Sequence, residues 1–65
     1  MKIRYKFIHF VIVVDAWVCF TNRGDNVLGT LEYHKQWKQW VFQPEACCEF
    51  SMDCLEDIIA FTKQL

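Results

Sequence analysis

Residues 17–44, WVCFTNRGDNVLGTLEYHKQWKQWVFQP, decide the fold of this chain of 65 residues. Three runs rich in β-branched and aromatic residues, 17–20, 27–33 and 37–43, are separated by two short polar segments. Gly24 favours a tight turn in the first segment, and Pro44 ends the third run because proline has no N–H to donate. Gly29, inside the second run, indicates a bulge or a close backbone approach. The stretch predicts three strands joined by two hairpins, which is an antiparallel meander.

The C-terminal part of the chain predicts an amphipathic helix of about four turns. Ser51 has the position of an N-cap, and Asp53 lies near the positive end of the helix dipole. Cys54 and Phe61 flank a stripe of residues at helical spacing: Leu55, Ile58, Ile59, Thr62 and Leu65. We expect this helix to pack on one face of the sheet, above four strand residues: Cys19, Leu31, Trp40 and Phe42.

The N-terminal residues 3–14 are also dense in β-branched and aromatic side chains, which favours one strand or two short ones. The expected fold is therefore α+β, with an antiparallel sheet of three to four strands and one C-terminal amphipathic helix packed on one face. A chain of this length forms a single small domain, residues 1–65. The sequence leaves open whether residues 3–14 cover the second sheet face or pair at the sheet edge.

The strands are apolar on both faces, yet one helix can cover only one of them. The apolar fraction of 54% and the aromatic fraction of 17% exceed what one small core needs. Five residues are expected to need other cover: Val18, Phe20, Leu28, Trp37 and Val41. These side chains predict a non-enzymatic interaction module that forms a homodimer or binds a protein partner through the uncovered face.

The hairpin at residues 33–40 interleaves aromatic and basic side chains, which is typical of surfaces that stack bases and hold phosphates. The alternative hypothesis is therefore a small nucleic-acid-binding protein that uses five residues: Arg23, Lys35, Trp37, Lys38 and Trp40. Charge argues against it. Residues 1–44 hold six basic and three acidic side chains, a net of +3, whereas residues 45–65 hold one basic and five acidic, a net of −4. The chain is bipolar, not strongly basic.

The sequence gives little support for catalysis or cofactor binding. Cysteines stand at positions 19, 47, 48 and 54, without the C-x₂-C spacing of a zinc site. Nothing places His9 or His34 beside a cysteine, and no phosphate-binding glycine loop is present. We therefore expect no enzymatic activity, no catalytic residue, no metal, no cofactor and no small-molecule substrate.

The start of the chain does not predict a signal peptide or a membrane anchor. His9 interrupts the short apolar run at residues 7–14, and no small-residue cleavage site follows it. The same run is too short to span a bilayer. The four cysteines are then expected to be reduced, and the protein is expected to be cytoplasmic.

Four segments resemble a group of small uncharacterised proteins of bacteria and their phages: WVC (17–19), LGTLEY (28–33), WKQWVFQP (37–44) and the helical segment 54–65. The resemblance covers residues 17–65 and implies a three-stranded meander with a C-terminal helix. It also implies a cytosolic bacterial setting, and it leaves open whether the chain is borne by a prophage or another mobile element. The group has no assigned activity, so the resemblance implies no functional residues.

Overall fold

The computed structural model describes residues 1–65 and contains four strands and one helix. The strands are β1 (Ile8–Val13), β2 (Ala16–Thr21), β3 (Val27–His34) and β4 (Gln39–Pro44), and the helix is α1 (Met52–Thr62). All neighbouring strands pair antiparallel, in the order β1-β2-β3-β4. This confirms the predicted α+β meander, and the sheet remains open because β1 and β4 are not paired with each other.

Residues 3–14 lie at the edge of the sheet. β1 pairs with β2 in a register that runs from Ile8 opposite Thr21 to Val13 opposite Ala16. The residues before β1 turn back along its outer side, where the Phe10 amide donates to the Ile3 carbonyl at 2.8 Å. Of the one strand or two short ones expected over residues 3–14, the structure contains one, residues 8–13, and no element lies over the second face of the sheet.

Gly29 lies next to a β-bulge and also at a close approach of two strands. The pairing of β2 and β3 shifts between Cys19, opposite Gly29, and Phe20, opposite Val27, which leaves Leu28 as the extra residue of a bulge. A Cβ atom at position 29 would lie 2.6 Å from the carbonyl oxygen of Gln43. Only glycine allows β4 to approach this closely.

The β3–β4 connection differs from the expected strand that begins at Trp37. β4 begins at Gln39, and residues 35–38 form a turn closed by the Lys38 amide, which donates to the His34 carbonyl at 2.7 Å. Lys38 takes a positive φ of 55°. The Trp37 amide donates to His34 Nδ1 at 3.1 Å, so a side-chain hydrogen bond stabilises this turn.

The predicted N-cap is confirmed, since Ser51 Oγ accepts from the Cys54 amide at 3.2 Å. The helix has 11 residues, or about three turns, one fewer than expected. Its buried positions are Ile58 and Phe61, whereas Ile59 is 55% exposed. The helix is rotated from the expected stripe because the Phe61 ring stacks on Phe10 of β1, with 3.9 Å between ring centroids.

The core lies between α1 and the face of the sheet that α1 covers. Its six buried apolar residues are Ile8, Phe10, Cys19, Leu31, Ile58 and Phe61. Trp40 and Phe42 pack against this cluster but remain half-buried. All four strand residues expected beneath the helix therefore belong to the core or its margin.

Candidate interaction surface

The face of the sheet opposite α1 has no secondary-structure element over it. Alternate residues of the strands form this face, and cross-strand pairing arranges them in three sets: His9–Phe20–Val27, Val11–Val18–Thr30–Gln43, and Val13–Ala16 with Glu32–Val41. The polarity of these side chains changes from the β1–β2 side of the sheet to the β3–β4 side. The β1–β2 side is mainly apolar, and the β3–β4 side is mainly polar.

The apolar residues on this face are contiguous, and we name five of them the open-face patch: Val11, Val13, Val18, Phe20 and Val27. Val11, Val13 and Val27 are 43%, 50% and 41% exposed. Val18 and Phe20 are half-buried by their strand neighbours. Val41 lies on the same face but is surrounded by Glu32 and the glutamines of β4.

Three of the five residues predicted for the interaction face lie on it, namely Val18, Phe20 and Val41. Leu28 lies at the bulge and packs against the core cluster. Trp37 lies in the β3–β4 turn, 62% exposed. The sequence does not identify Val11 and Val13 as face residues because it leaves the position of the N-terminal strand open. Their shared parity with His9 places the three residues on one side of that strand, but it does not say which face of the sheet that side belongs to.

A hydrogen-bonded polar cluster borders the patch at one end. His9 is buried, and its Nδ1 lies 2.8 Å from Asn22 Oδ1, which also accepts from the Arg4 guanidinium at 3.0 Å. Because Asn22 Oδ1 is an acceptor, His9 Nδ1 carries the proton. His9 Nε2 lies 3.7 Å from a carboxylate oxygen of Asp25, and the imidazole stacks on Phe20 with 5.5 Å between centroids. These contacts fix the polar border without covering the valines.

The structure separates the residues predicted for nucleic-acid binding. Arg23 lies in the β2–β3 turn, whereas Lys35, Trp37 and Lys38 lie in the β3–β4 turn at the opposite end of the sheet. The eight residues of β3 between these turns span roughly 25 Å. Trp40 is on the helix-covered face, where its ring meets Tyr33 edge to face at 5.7 Å. The five residues do not form one surface.

A second apolar feature, a groove, lies on the helix side of the sheet. The aromatic rings of Phe10 and Trp17 hold Phe61, and thus α1, over β1 and β2. The helix therefore leaves a groove beside the outer strands, lined mainly by Leu31, Trp40, Phe42, Ile58 and Ile59.

The four cysteines are free thiols in different environments. Burial, and secondarily the nearby Cys54, raises the pKa of the Cys19 thiol to about 12. Cys47 is exposed, and Cys48 and Cys54 are half-buried. No group of three or more His, Cys, Asp or Glu side chains is arranged to hold a metal ion. Cys19 is therefore an inert core residue at neutral pH.

These features define a class of protein: a small α+β domain with a four-stranded meander, one C-terminal helix and an uncovered sheet face that is apolar on one side. No family model, curated protein or solved structure matches the chain. The single helix is too short to cross a membrane.

Proposed function

We propose that this protein is a non-enzymatic interaction module that self-associates or binds a protein partner through the open-face patch. The observation that carries the proposal is the contiguity of Val11, Val13 and Val27 with Phe20 on a sheet face that no helix or strand covers. A partner that buries the three partly exposed valines would gain about 1 kcal/mol from each. Exposed apolar patches of this kind are typical of interaction sites.

The distribution of polar groups around the patch supports the same proposal. Interfaces commonly have an apolar centre and a polar rim. Here the cluster of Arg4, His9 and Asp25 borders one end, and Glu32 and Gln43 lie on the β3–β4 side. The rim groups are held by hydrogen bonds or are solvated, so a partner would not have to bury an unpaired charge at the centre.

The proposal is tested by placing a charge on the patch. Val18→Lys puts an ammonium group at the centre of the face, and Ala60→Lys adds the same charge on the exposed side of α1. We expect wild type and Ala60→Lys to bind a hydrophobic dye and to associate, as measured by light scattering over a range of concentrations. Val18→Lys should bind less dye and associate more weakly than Ala60→Lys, while keeping the circular dichroism spectrum of the wild type.

A protein partner is tested with a photo-crosslinking amino acid at Phe20, and with the same group at Lys63 as the control. Crosslinks that form only from position 20 would support the proposal. A wild-type chain that stays monomeric, binds no dye and forms no crosslinks from position 20 would overturn it.

The β3–β4 turn supports a second candidate function, nucleic-acid binding. The Trp37 indole is 62% exposed and stacks on His34 with 4.3 Å between centroids, and Lys35 and Lys38 flank it in the turn. Two lysines predict a shallow salt dependence, with a slope of log K against log salt of about −1.4 for a single strand. Titration with labelled single-stranded DNA measures this slope. Trp37→Ala should abolish binding if stacking carries it, and Arg23→Ala, at the far end of the sheet, should not change it.

We further propose a cytoplasmic location. Four free cysteines, of which Cys47 is exposed, suit a reducing compartment. The bacterial or phage setting implied by the resemblance stays a prediction.

A further inference from the structure

The outer edge of β1 has backbone groups without partners. The Asn22 amide donates to the Phe7 carbonyl at 2.9 Å, so the odd-numbered residues of this strand bond towards β2. The Phe10 amide donates outward, to Ile3 at 2.8 Å. By the same alternation the amide and carbonyl of Ile12 point outward, beyond the last contact with the N-terminal segment. The edge is therefore paired near Phe10 and free at Ile12.

The side chains at this free edge are apolar on both faces of the sheet. Ile12 is 56% exposed on the face that carries α1, and Val11 and Val13 are 43% and 50% exposed on the other. Residues 10–14 contain no charged residue and no proline. Natural sheets usually protect an exposed edge with charges, proline or a bulge, because an unprotected edge is a template for another strand.

We propose that the free edge of β1 pairs antiparallel with β1 of a second copy of this chain, which joins the two sheets into one. An antiparallel pair of identical strands has two-fold symmetry, and a closed dimer with an isologous interface needs that symmetry. With Ile12 opposite Ile12, the two amides and two carbonyls bond reciprocally, and Val11 of one copy lies opposite Val13 of the other. Over residues 11–13 every cross-strand pair is then between β-branched apolar side chains.

This inference goes beyond the proposed function because it uses the edge of the sheet and not its face. The two surfaces are compatible. A two-fold axis perpendicular to the sheet keeps like faces on the same side, so the two open-face patches would become neighbours in the dimer.

The inference is tested by sedimentation equilibrium of four chains. Ile12→Pro removes the outward amide without disturbing the β1–β2 ladder, because proline is tolerated where its N–H side faces outward. Ile12→Lys keeps the amide but places like charges together at the two-fold axis. Ile59→Lys is the matched control, since Ile59 is also isoleucine and is 55% exposed. Circular dichroism establishes that each variant is folded.

Wild type and Ile59→Lys are expected to reach twice the 7.8 kDa chain mass, and both Ile12 variants to associate roughly tenfold or more weakly. Hydrogen exchange at the Ile12 amide should slow as wild-type concentration rises.

A monomeric wild type, or dimeric Ile12 variants, would overturn the inference. If Val18→Lys is monomeric while the Ile12 variants dimerise, the face is the interface, and the proposed function survives without the edge. If wild type is monomeric yet crosslinks to a partner from position 20, the proposed function also survives.

Discussion

Replacing Val14 with glycine should stabilise the protein. Val14 lies in the β1–β2 turn with a φ of 59° and is 92% exposed. A β-branched residue in this left-handed region costs about 1–2 kcal/mol, and an exposed side chain offers little packing in return. Glycine removes the strain but adds about 0.4–1 kcal/mol of conformational entropy to the unfolded chain. The net gain in the free energy of unfolding should be on the order of 0.5–1 kcal/mol.

The gain is measured by urea unfolding followed through tryptophan fluorescence, with a parallel thermal melt. A stabilisation of this size should raise the Tm by about 2–8 °C in a domain of this length. Val13→Gly is the matched control, because Val13 is also an exposed valine but lies in β1 with an extended backbone. That change should destabilise the protein, since glycine weakens a strand. If both substitutions lower the free energy of unfolding equally, the argument from backbone strain is refuted.

The fold makes four further predictions. Gly29→Ala should lower the free energy of unfolding by about 1–3 kcal/mol, because the added Cβ would overlap the β4 backbone; no loss in urea unfolding would contradict the close approach. Ser51→Ala should lower the helical stability by about 1 kcal/mol through loss of the N-cap, whereas Ser51→Asp should restore it. Burial raises the pKa of Cys19 to about 12, so on raising the pH the thiol ionises first in the unfolded chain, and the free energy of unfolding should fall as the pH rises above 9. Cys19→Ala should make this fall of the free energy of unfolding with pH less steep. An equally steep fall in the variant would contradict the assignment to Cys19. In thiol labelling of the native protein Cys47 should react quickly, and Cys19 only after unfolding.

The parts of the fold that local chemistry determines could be predicted from the sequence. Ser51 begins the helix because its hydroxyl caps a free amide, and Pro44 ends β4 because it cannot continue the ladder. Gly29 indicates both the bulge at the adjacent Leu28 and the close approach of β4. Each of these features depends on one residue and its immediate neighbours, so a single sequence contains the signal.

The features that depend on distant contacts could not be predicted. In the second half of residues 3–14, both the odd-numbered and the even-numbered positions are apolar. The alternation of side chains therefore does not indicate which side of the strand packs against the core. The position of these residues is fixed by Asn22 in the β2–β3 turn. Its side-chain amide donates to the Tyr5 carbonyl at 2.7 Å, and its backbone amide donates to the Phe7 carbonyl. The start of β4 was missed for a different reason. Lys38 adopts positive φ in a turn without glycine or asparagine at that position, which leaves no residue signal.

The placement of β1 accounts for the rotation of the helix, for the groove and for the apolar side of the open face. The first half of β1, with Ile8 and Phe10, enters the core, and Phe10 draws Phe61 and the helix towards this side of the sheet. The groove beside the outer strands opens on the side that the helix leaves. The second half of β1 extends beyond both the helix and the N-terminal segment, so its side chains are exposed on the two faces while its outer backbone is unpaired. One strand therefore completes the core and also supplies Val11 and Val13 to the open-face patch and Ile12 to the free edge.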